Sequence, residues 1–324
     1  MTPRRRLAER IRGAGPLTFA EFVEAALYDP VGGFYARGQR LGPRGAFSSA
    51  PTRQPRFADA VAAEVRVCHQ ALGRPGDFVL VEAGPGDGTL ARALVERLAE
   101  LISEVVLVER ADGMRVAQRE ALERASVPVR WAARPEEVRA ETGFVVANEL
   151  FDALPFRLLE WPDEVIVVAD EEDRLREARR PASAELGADL EAEAEPQPGG
   201  RYALRPEAPE LLLALARTVE RGRILVADYG GEGGKVHTGR DPVRTFVGGL
   251  RGAGPLEAPG SQDITADVDF GPLRRAARGA GFLELAYEEQ EAWRERLAPG
   301  VAGIFDPAPG ALAAFKVLLL EKPS

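Results

Sequence analysis

Short apolar runs that alternate with helical patterns constrain the fold of this chain more than any other feature. The runs are bounded by polar or glycine residues and lie at 78–82, 105–108, 127–131, 144–147 and 224–227. Apolar runs of this length are typical of parallel strands that are buried on both faces. Between the runs, hydrophobic residues recur with helical spacing. This alternation predicts an α/β fold with an open, doubly wound and mostly parallel sheet.

The remaining segments predict additions around this sheet. We expect an N-terminal helical and loop extension over 1–75, a Rossmann-like core over 76–160 and 207–324, and a small β-rich insertion over 161–206. Two further apolar runs, at 282–287 and 315–320, predict the strands that close the sheet.

Local patterns add detail to the extension and the insertion. Thr18 and Glu21 have the spacing of a capping box, and an amphipathic pattern follows them, which predicts a helix. Residues 181–200 show no periodicity, so we expect an exposed loop or a partly disordered linker. Residues 231–260 are rich in glycine and predict a second long loop.

The run at 78–82 ends in a turn where Gly84, Gly86 and Gly88 alternate with other residues. Glycine suits a backbone that turns tightly at positive φ and lets a ligand approach closely. The free N–H groups of the following helix are those that bind phosphates in dinucleotide folds. The third glycine comes one residue earlier than in the dinucleotide fingerprint. We predict that Gly84, Pro85, Gly86 and Gly88 bind a cofactor, with a purely structural turn as the alternative.

Two acidic residues stand at the ends of consecutive predicted strands. Glu82 precedes the glycine turn, and Glu109 directly follows the run at 105–108. A carboxylate at the second position accepts hydrogen bonds from ribose hydroxyls in related folds. We predict that both residues bind the cofactor, with solvated charges at strand ends as the alternative.

A polar string with Asn148, Glu149 and Asp152 follows the run at 144–147. In open α/β sheets, ligands bind outside the carboxyl ends of the strands, so we expect this string beside the reacting centre. Carboxylates bind a guanidinium bidentately and fix its orientation. We predict Glu149 and Asp152 as catalytic residues and Asn148 as a cofactor contact. A helix cap at Asp152, with Glu149 as capping partner, is the alternative.

A second acidic segment contains Asp263, Asp267 and Asp269 and precedes a predicted helix at 270–278. These carboxylates either cap that helix or line a groove for a cationic acceptor, and both interpretations stay open. His237 lies in a polar, glycine-rich segment, so we expect it to be exposed and not catalytic.

The composition argues against several classes of protein. A net charge of -9 is atypical of proteins that bind nucleic acids through phosphates, so no nucleic-acid partner is expected. One cysteine, Cys68, and two histidines cannot form a zinc site of the usual Cys/His kind, and we predict no metal. The single thiol fits a reducing, cytoplasmic compartment and is expected to be buried. No stretch approaches roughly 18 uninterrupted apolar residues, so no membrane span is expected.

Longer motifs are spread over almost the whole chain. The most specific reads Asn-Glu-x-Phe-Asp-Ala-Leu-Pro at 148–155. The others lie at 28–35 (Tyr-Asp-Pro-x-x-Gly-Phe-Tyr), 45–51 (Gly-x-Phe-x-Ser-Ala-Pro), 228–230 (Asp-Tyr-Gly) and 259–270 (Pro-Gly-x-Gln-Asp-Ile-Thr-Ala-x-Val-Asp-Phe). With the glycine turn, they resemble the MidA-like methyltransferases, relatives of the mitochondrial complex I assembly methyltransferase. The resemblance implies a Rossmann-like class I methyltransferase fold with a mostly parallel, seven-stranded sheet.

The resemblance also implies a cofactor and an acceptor. The cofactor is S-adenosyl-L-methionine, with Glu82 facing its methionyl ammonium and with Ser49 and Pro51 as further contacts. The acceptor is a protein with a cationic side chain, with arginine favoured, since the mitochondrial relative methylates an arginine of a respiratory complex subunit. Two positions depart from the family pattern, because Ala46 replaces an Asp and Thr52 replaces a Glu.

Other functions remain open at this stage. A methyltransferase acting on a small molecule is one, and an assembly factor that binds S-adenosyl-L-methionine without catalysis is another. The departures at Ala46 and Thr52 motivate the second. The glycine spacing speaks against a nicotinamide-dependent oxidoreductase. The sequence leaves the oligomeric state open, a homodimer included.

Overall fold

The structure is a computed structural model that describes residues 1–38, 55–248, 250–300 and 314–322. Its α-helices within these ranges are, in chain order, α1 (Pro3–Ala14), α2 (Phe19–Tyr28), α3 (Pro55–Ala71), α4 (Thr89–Leu98), α5 (Asp112–Ala121), α6 (Ala184–Glu193), α7 (Ala208–Ala216), α8 (Phe270–Gly279) and α9 (Gln290–Leu297). Its strands are β1 (Leu17–Thr18), β2 (Val79–Ala83), β3 (Glu104–Val108), β4 (Val129–Ala132), β5 (Ala140–Asn148), β6 (Arg157–Glu160), β7 (Asp163–Ala169), β8 (Leu175–Pro181), β9 (Arg201–Leu204), β10 (Val219–Gly231), β11 (Arg244–Val247), β12 (Leu250–Arg251), β13 (Asp263–Thr265), β14 (Val268–Asp269), β15 (Leu283–Glu289) and β16 (Phe315–Glu321).

The main sheet has the strand order β15-β16-β10-β5-β2-β3-β4, and β14 pairs with β10 beside this path. Strands β4, β3, β2, β5 and β10 are parallel, whereas β16 runs antiparallel to β10 and β15. The predicted α/β fold with a mostly parallel, seven-stranded sheet is confirmed. The chain continues from β2 to β3 on one side and later returns to β5 on the other. In open α/β sheets, ligands bind at such a switch point, here outside the carboxyl ends of β2 and β5.

Both faces of the main sheet are covered by helices, which explains why its strands read as continuous apolar runs. Along β2, Leu80 packs in a cluster that includes residues of α3, α4 and α9. Val79 and Val81 point the other way and pack in a cluster with residues of α7 and α8. Cys68 of α3 is buried in the first cluster, as expected.

A second, antiparallel sheet has the order β1-β7-β6-β9, and β8 pairs with β7. Helix α2 packs against it, with the rings of Phe19 and Phe156 5.4 Å apart. The predicted capping box of α2 is confirmed, because the Thr18 hydroxyl accepts from Glu21 N and the Glu21 carboxylate accepts from Thr18 N. The proposed division of the chain into extension, core and insertion stays a prediction.

Two segments predicted as loops contain regular structure, so those predictions were wrong. Residues 181–200 include α6, whose Leu186 and Leu190 are buried in one cluster with Tyr202. These two leucines lie four positions apart and form a narrow apolar face, which does not stand out in the sequence. A third sheet, with the order β12-β11-β13, lies partly within 231–260. Its strands have two to four residues each, which is too short for a visible period of two.

Two further helices, α1 and α9, were not predicted. Helix α1 begins at Pro3, and the Thr2 side chain caps it by accepting from Arg5 N. Helix α9 follows β15 and buries Trp293 against the ring of Phe57, with ring centroids 5.8 Å apart. Among the helices of the described ranges, none has the length and apolar character needed to cross a membrane.

Candidate active site

The glycine turn between β2 and α4 has the backbone geometry of a ligand cradle. The φ angle is 63° at Gly84, 56° at Gly86 and 83° at Gly88, all in the left-handed region that favours glycine. A Cβ atom on Gly84 would lie 2.8 Å from Leu150 Cδ1, so the Leu150 side chain would have to move. Gly88 N donates to Pro85 O at 2.9 Å and closes the turn. The turn is therefore as tight as the sequence predicts.

Glu82 lies at the end of β2 and is 2% exposed. Within the described residues, its Oε2 atom has no hydrogen-bond partner. Burial, and secondly the charge of Asp87, raises the pKa of Glu82 to about 8. A buried carboxylate is costly unless it is paired. The unpartnered oxygen beside the turn therefore fits a cationic group such as the methionyl ammonium.

Glu109 is fixed at the end of β3 by hydrogen bonds to both of its oxygens. Oε1 accepts from Ala111 N at 2.7 Å, and Oε2 accepts from Gln118 Nε2 at 3.0 Å. Gln118 also donates to Gly86 O at 2.8 Å and accepts from Trp131 Nε1 at 3.0 Å. Burial raises the pKa of Glu109 and outweighs these hydrogen bonds. Gln118 thus links the acidic residue to the glycine turn, a role that no sequence motif indicated.

The polar string after β5 emerges beside the same turn, because Ala147 of β5 is paired with Ala83 of β2. Asn148 is buried, and its Oδ1 has no hydrogen-bond partner in the described part of the chain. Glu149 has a φ of 49°, which is uncommon for a residue other than glycine. Glu149 N donates to Ala227 O of β10 at 2.8 Å. The neighbouring strand thus holds the residue in this conformation.

Asp228 of β10 organises the backbone of this string. Its Oδ2 accepts from Phe151 N at 2.8 Å and from Asp152 N at 3.4 Å, and its Oδ1 accepts from Tyr229 N at 2.9 Å. Burial, and secondly the charge of Asp152, raises the pKa of Asp228 well above its ordinary value. Burial also raises the pKa of Asp152. No helix begins at Asp152, so the helix-cap alternative was wrong.

Arg205 holds the string against the segment that contains β13 and β14. Its guanidinium donates to Asp152 O at 2.7 Å, to Ala266 O at 2.8 Å and to Asp267 O at 2.8 Å. Burial lowers the pKa of Arg205 to about 10. No sequence motif indicated Arg205, because it lies far along the chain from the segments that it joins.

Two tyrosines of the N-terminal region contribute to the same side of the site. Tyr35 OH donates to Asp263 Oδ1 at 3.0 Å, and Tyr28 OH donates to Ala153 O at 3.1 Å. Their rings stack with centroids 5.4 Å apart. Burial, and secondly the charge of Asp152, raises the pKa of Asp263 to about 7. The structure thus brings Asp152, Asp228 and Asp263 into one buried acidic cluster.

The other carboxylates of the second acidic segment have different partners. Asp269 caps α8 by accepting from Gly271 N at 2.8 Å, and its Oδ2 lies 2.9 Å from His237 Nε2. His237 is buried, so the expectation that it is exposed was wrong. Its partner Asp269 lies 32 positions along the chain, outside the reach of a local pattern. Asp267 forms an ion pair with Arg244.

Some predicted positions cannot be placed. Ser49, Pro51, Ala46 and Thr52 lie outside the described residues. Within the residues that the structure covers, no group of three or more histidine, cysteine or acidic side chains could hold a metal ion.

Comparison with known proteins identifies the family. The model of a family of S-adenosyl-L-methionine-dependent methyltransferases matches residues 60–287, which is more than half of the chain. The chain belongs to this family. It is an S-adenosyl-L-methionine-dependent methyltransferase, which removes the oxidoreductase alternative. The cofactor predicted from the glycine turn and the motifs is the one that this family uses.

Relatives and solved structures agree with this assignment. The chain is 29% identical over 311 residues to protein arginine methyltransferase NDUFAF7 of Bos taurus, covering 85% of this chain and 68% of the relative. It is also 29% identical over 311 residues to the Drosophila melanogaster homologue, covering 86% of this chain and 70% of the relative. A Burkholderia thailandensis methyl transferase crystallised with S-adenosyl-homocysteine is similar in structure, with a TM-score of 0.84 and 28% identity, covering 99% of this chain and 92% of that one.

Proposed function

We propose that this methyltransferase transfers the methyl group to an arginine side chain of a protein. The observation that carries the proposal is the buried cluster of Asp152, Asp228 and Asp263 at the carboxyl ends of β5 and β10. The charge of Asp152 acts on Asp228 and on Asp263, and a cationic acceptor would relieve the repulsion among these buried carboxyl groups. The relatives named protein arginine methyltransferases support arginine as the acceptor.

The roles of the carboxylates follow from their hydrogen bonds. Asp228 uses both oxygens on main-chain N–H groups, so it shapes the site rather than binding the acceptor. Asp263 is held by the Tyr35 hydroxyl. We assign acceptor binding to Asp152, with Glu149 beside it at the end of β5. A carboxylate orients a guanidinium through paired, charge-assisted hydrogen bonds.

The cofactor roles follow in the same way. Glu82 would hold the methionyl ammonium, and Glu109 the ribose hydroxyls, with Asn148 offering its free Oδ1 next to the turn. The bound cofactor supplies a methyl group that is already activated on a positively charged sulfur. The residues of this chain then bind and orient the two reactants, which accounts for much of the acceleration of such a step. We further propose that the enzyme works in the cytoplasm.

Transfer of a labelled methyl group to the proteins of a cell lysate tests the proposal. The lysate is freed of small molecules and incubated with the enzyme and S-adenosyl-L-methionine carrying a tritiated methyl group. Hydrolysed protein should contain labelled methylarginine. Asp152→Asn should lower the rate by about 10- to 100-fold, since a hydrogen bond to a charged group is worth about 1.5–3 kcal/mol. Asp163→Asn, on β7 of the second sheet, should leave the rate unchanged.

The product decides the outcome. Label in methyllysine and not in methylarginine would contradict the arginine acceptor, although the cofactor assignment would survive. Equal rates for Asp152→Asn and for the unaltered enzyme would contradict the role given to that carboxylate.

A further inference from the structure

One arginine of this chain already sits in a site built for a guanidinium. The guanidinium carbon of Arg244, on β11, lies 4.4 Å from the centre of the Tyr229 ring. The same group forms an ion pair with Asp267. An aromatic face together with a carboxylate is a combination that recognises arginine, because the planar guanidinium stacks and pairs at once.

Both walls of this site are fixed by contacts that do not involve Arg244. The Tyr229 ring packs edge-on against Phe315, with centroids 5.2 Å apart and planes at 86°. The main chain at Asp267 is held by Arg205, which donates to Asp267 O at 2.8 Å. The aromatic ring and the main chain that carries the carboxylate would therefore keep their places if the Arg244 side chain left.

The site adjoins the acidic cluster of Asp152, Asp228 and Asp263. Tyr229 directly follows Asp228, whose Oδ2 accepts from the main chain of Asp152. Burial raises the pKa of Asp152, while the charges of Arg205 and, next, Arg244 oppose that rise. The guanidinium of Arg244 is thus near enough to Asp152 for the two charges to interact.

We propose that Tyr229 and Asp267, beside Asp152, complete the subsite that receives the acceptor guanidinium, and that Arg244 occupies this subsite until the acceptor displaces it. The proposal rests on the proposed arginine acceptor. It adds the residues that would distinguish a planar guanidinium from a lysine ammonium, and it makes Arg244 an internal competitor.

The strength with which Arg244 competes with an acceptor follows from its attachment to the same chain. A group attached to the same chain competes at an effective concentration in the millimolar range. A small free guanidinium compound that binds weakly must displace it. Removing the Arg244 side chain should therefore strengthen binding of such a compound by about fivefold or more, a factor set by the effective concentration relative to the affinity of Arg244 for its site.

The test uses the full chain loaded with S-adenosyl-homocysteine and the probe N-acetyl-L-arginine amide, with affinity measured by titration. Arg244→Gln should bind the probe at least about fivefold more tightly than the unaltered protein. Arg251→Gln is the matched control, because Arg251 lies in the same hairpin, 5.8 Å from the Phe246 ring. It should leave the affinity unchanged. N-acetyl-L-lysine amide should gain nothing from Arg244→Gln.

A second substitution, at Tyr229, tests whether the gain in affinity depends on the aromatic ring. Adding Tyr229→Leu to Arg244→Gln should abolish the gain, while the affinity for S-adenosyl-homocysteine stays within about twofold. If Arg244→Gln lowers the melting temperature, Arg244→Lys replaces it and should show a smaller gain, because an ammonium does not stack like a guanidinium. Unchanged or weaker probe binding in the folded variant would overturn the proposal.

The lysate experiment separates the two proposals. If the unaltered enzyme forms no methylarginine but Arg244→Gln still gains affinity for the arginine probe, the subsite stands and the proposed function fails. If methylarginine forms but the gain is missing, the proposed function stands and Arg244 has only a structural role.

Discussion

At the scale of single residues, the site depends on carboxylates that are buried before any ligand arrives. Burying a carboxylate is unfavourable, as Glu82 shows: its Oε2 has no hydrogen-bond partner within the described residues, and its pKa is raised to about 8. A bound cation would supply the missing partner. The same residue should therefore control both the affinity for the cofactor and its dependence on pH.

Glu82→Gln should weaken binding of S-adenosyl-L-methionine by about 10- to 100-fold. The change removes a charge-assisted hydrogen bond to the ammonium, worth about 1.5–3 kcal/mol. Calorimetric titration measures the affinity. The matched control is Glu96→Gln, because Glu96 is exposed on α4 and pairs with Arg92, at 2.8 Å. Equal affinity in the two variants would contradict the role of Glu82.

Binding of the cofactor should also release a proton at pH 7. Because the pKa of Glu82 is about 8, its carboxyl is mostly protonated at that pH in the free protein. A bound ammonium favours the charged form and lowers the pKa, so close to one proton leaves on binding. Calorimetry in buffers with different ionisation enthalpies counts the protons. The count should fall toward zero in Glu82→Gln, and an unchanged count would assign the proton to another group.

At the scale of elements, Arg205 connects the string after β5 to the segment before α8 through four main-chain carbonyl groups. Arg205→Gln leaves several of these buried acceptors without a donor, each at a cost of about 1–3 kcal/mol. We expect the free energy of unfolding to fall by about 3 kcal/mol, measured by chemical denaturation. Methyl transfer should fall further than cofactor affinity, since Arg205 positions Asp152.

The control for that change is Arg92→Gln. Arg92 lies on the surface of α4 and pairs with Glu96, and both side chains are about half exposed. An exposed ion pair contributes about 0–1 kcal/mol, so this variant should remain close to the unaltered protein. A comparable loss of stability in both variants would show that Arg205 is no more than a surface charge.

How far the sequence predicts each element depends on how its residues are buried. Strands β2, β3 and β5 were predicted because burial on both faces leaves an uninterrupted apolar run. Helix α6 and the hairpin of β11 and β12 were missed. The first buries mainly Leu186 and Leu190, and the second has short strands around glycines.

The same reasoning explains which site residues were found. Glu82 lies at a strand end, and Glu109 and Asp152 come after strands; a strand end fixes where a side chain lies in an open sheet. Gln118 and Arg205 join segments that are distant in sequence, so only the folded chain reveals them. Glu109 lies 9 positions from Gln118, and Asp152 lies 53 positions from Arg205, so no local pattern connects either pair.

At the scale of the whole molecule, the site draws on the main sheet, on the third sheet and on the N-terminal region. Strands β2, β3 and β5 provide the cofactor side, while β10, β13 and Tyr35 surround the acidic cluster. This construction concentrates buried carboxylates at one edge of the main sheet. The stability of the free protein should therefore depend on pH in an unusual direction.

The direction in which stability changes with pH follows from the raised pKa values. Glu82 has a pKa of about 8 in the folded protein against 4.5 when exposed, and Asp263 has about 7 against 3.8. Such groups favour folding fully below their unfolded pKa, and the benefit is lost as the pH rises through the folded pKa. Between pH 6 and pH 8, Glu82 alone should reduce the free energy of unfolding by about 2 kcal/mol.

Thermal melts of the free protein across this pH range test the expectation. The melting temperature should fall from pH 6 to pH 8, and Glu82→Gln should flatten the decline. Saturation with S-adenosyl-homocysteine should also flatten it, because the ligand pairs the carboxylate. A melting temperature that rises over this range would contradict the raised pKa values.

A crystal structure of the protein with S-adenosyl-homocysteine tests the central claim most directly, because it locates the ligand against the residues that are assigned to hold it. We predict that the Glu82 carboxylate lies within about 2.7–3.2 Å of the ligand's amino nitrogen, and that a Glu109 oxygen lies within a similar distance of a ribose hydroxyl. A ligand bound elsewhere, with Glu82 Oε2 still unpartnered, would contradict the account of the cofactor site.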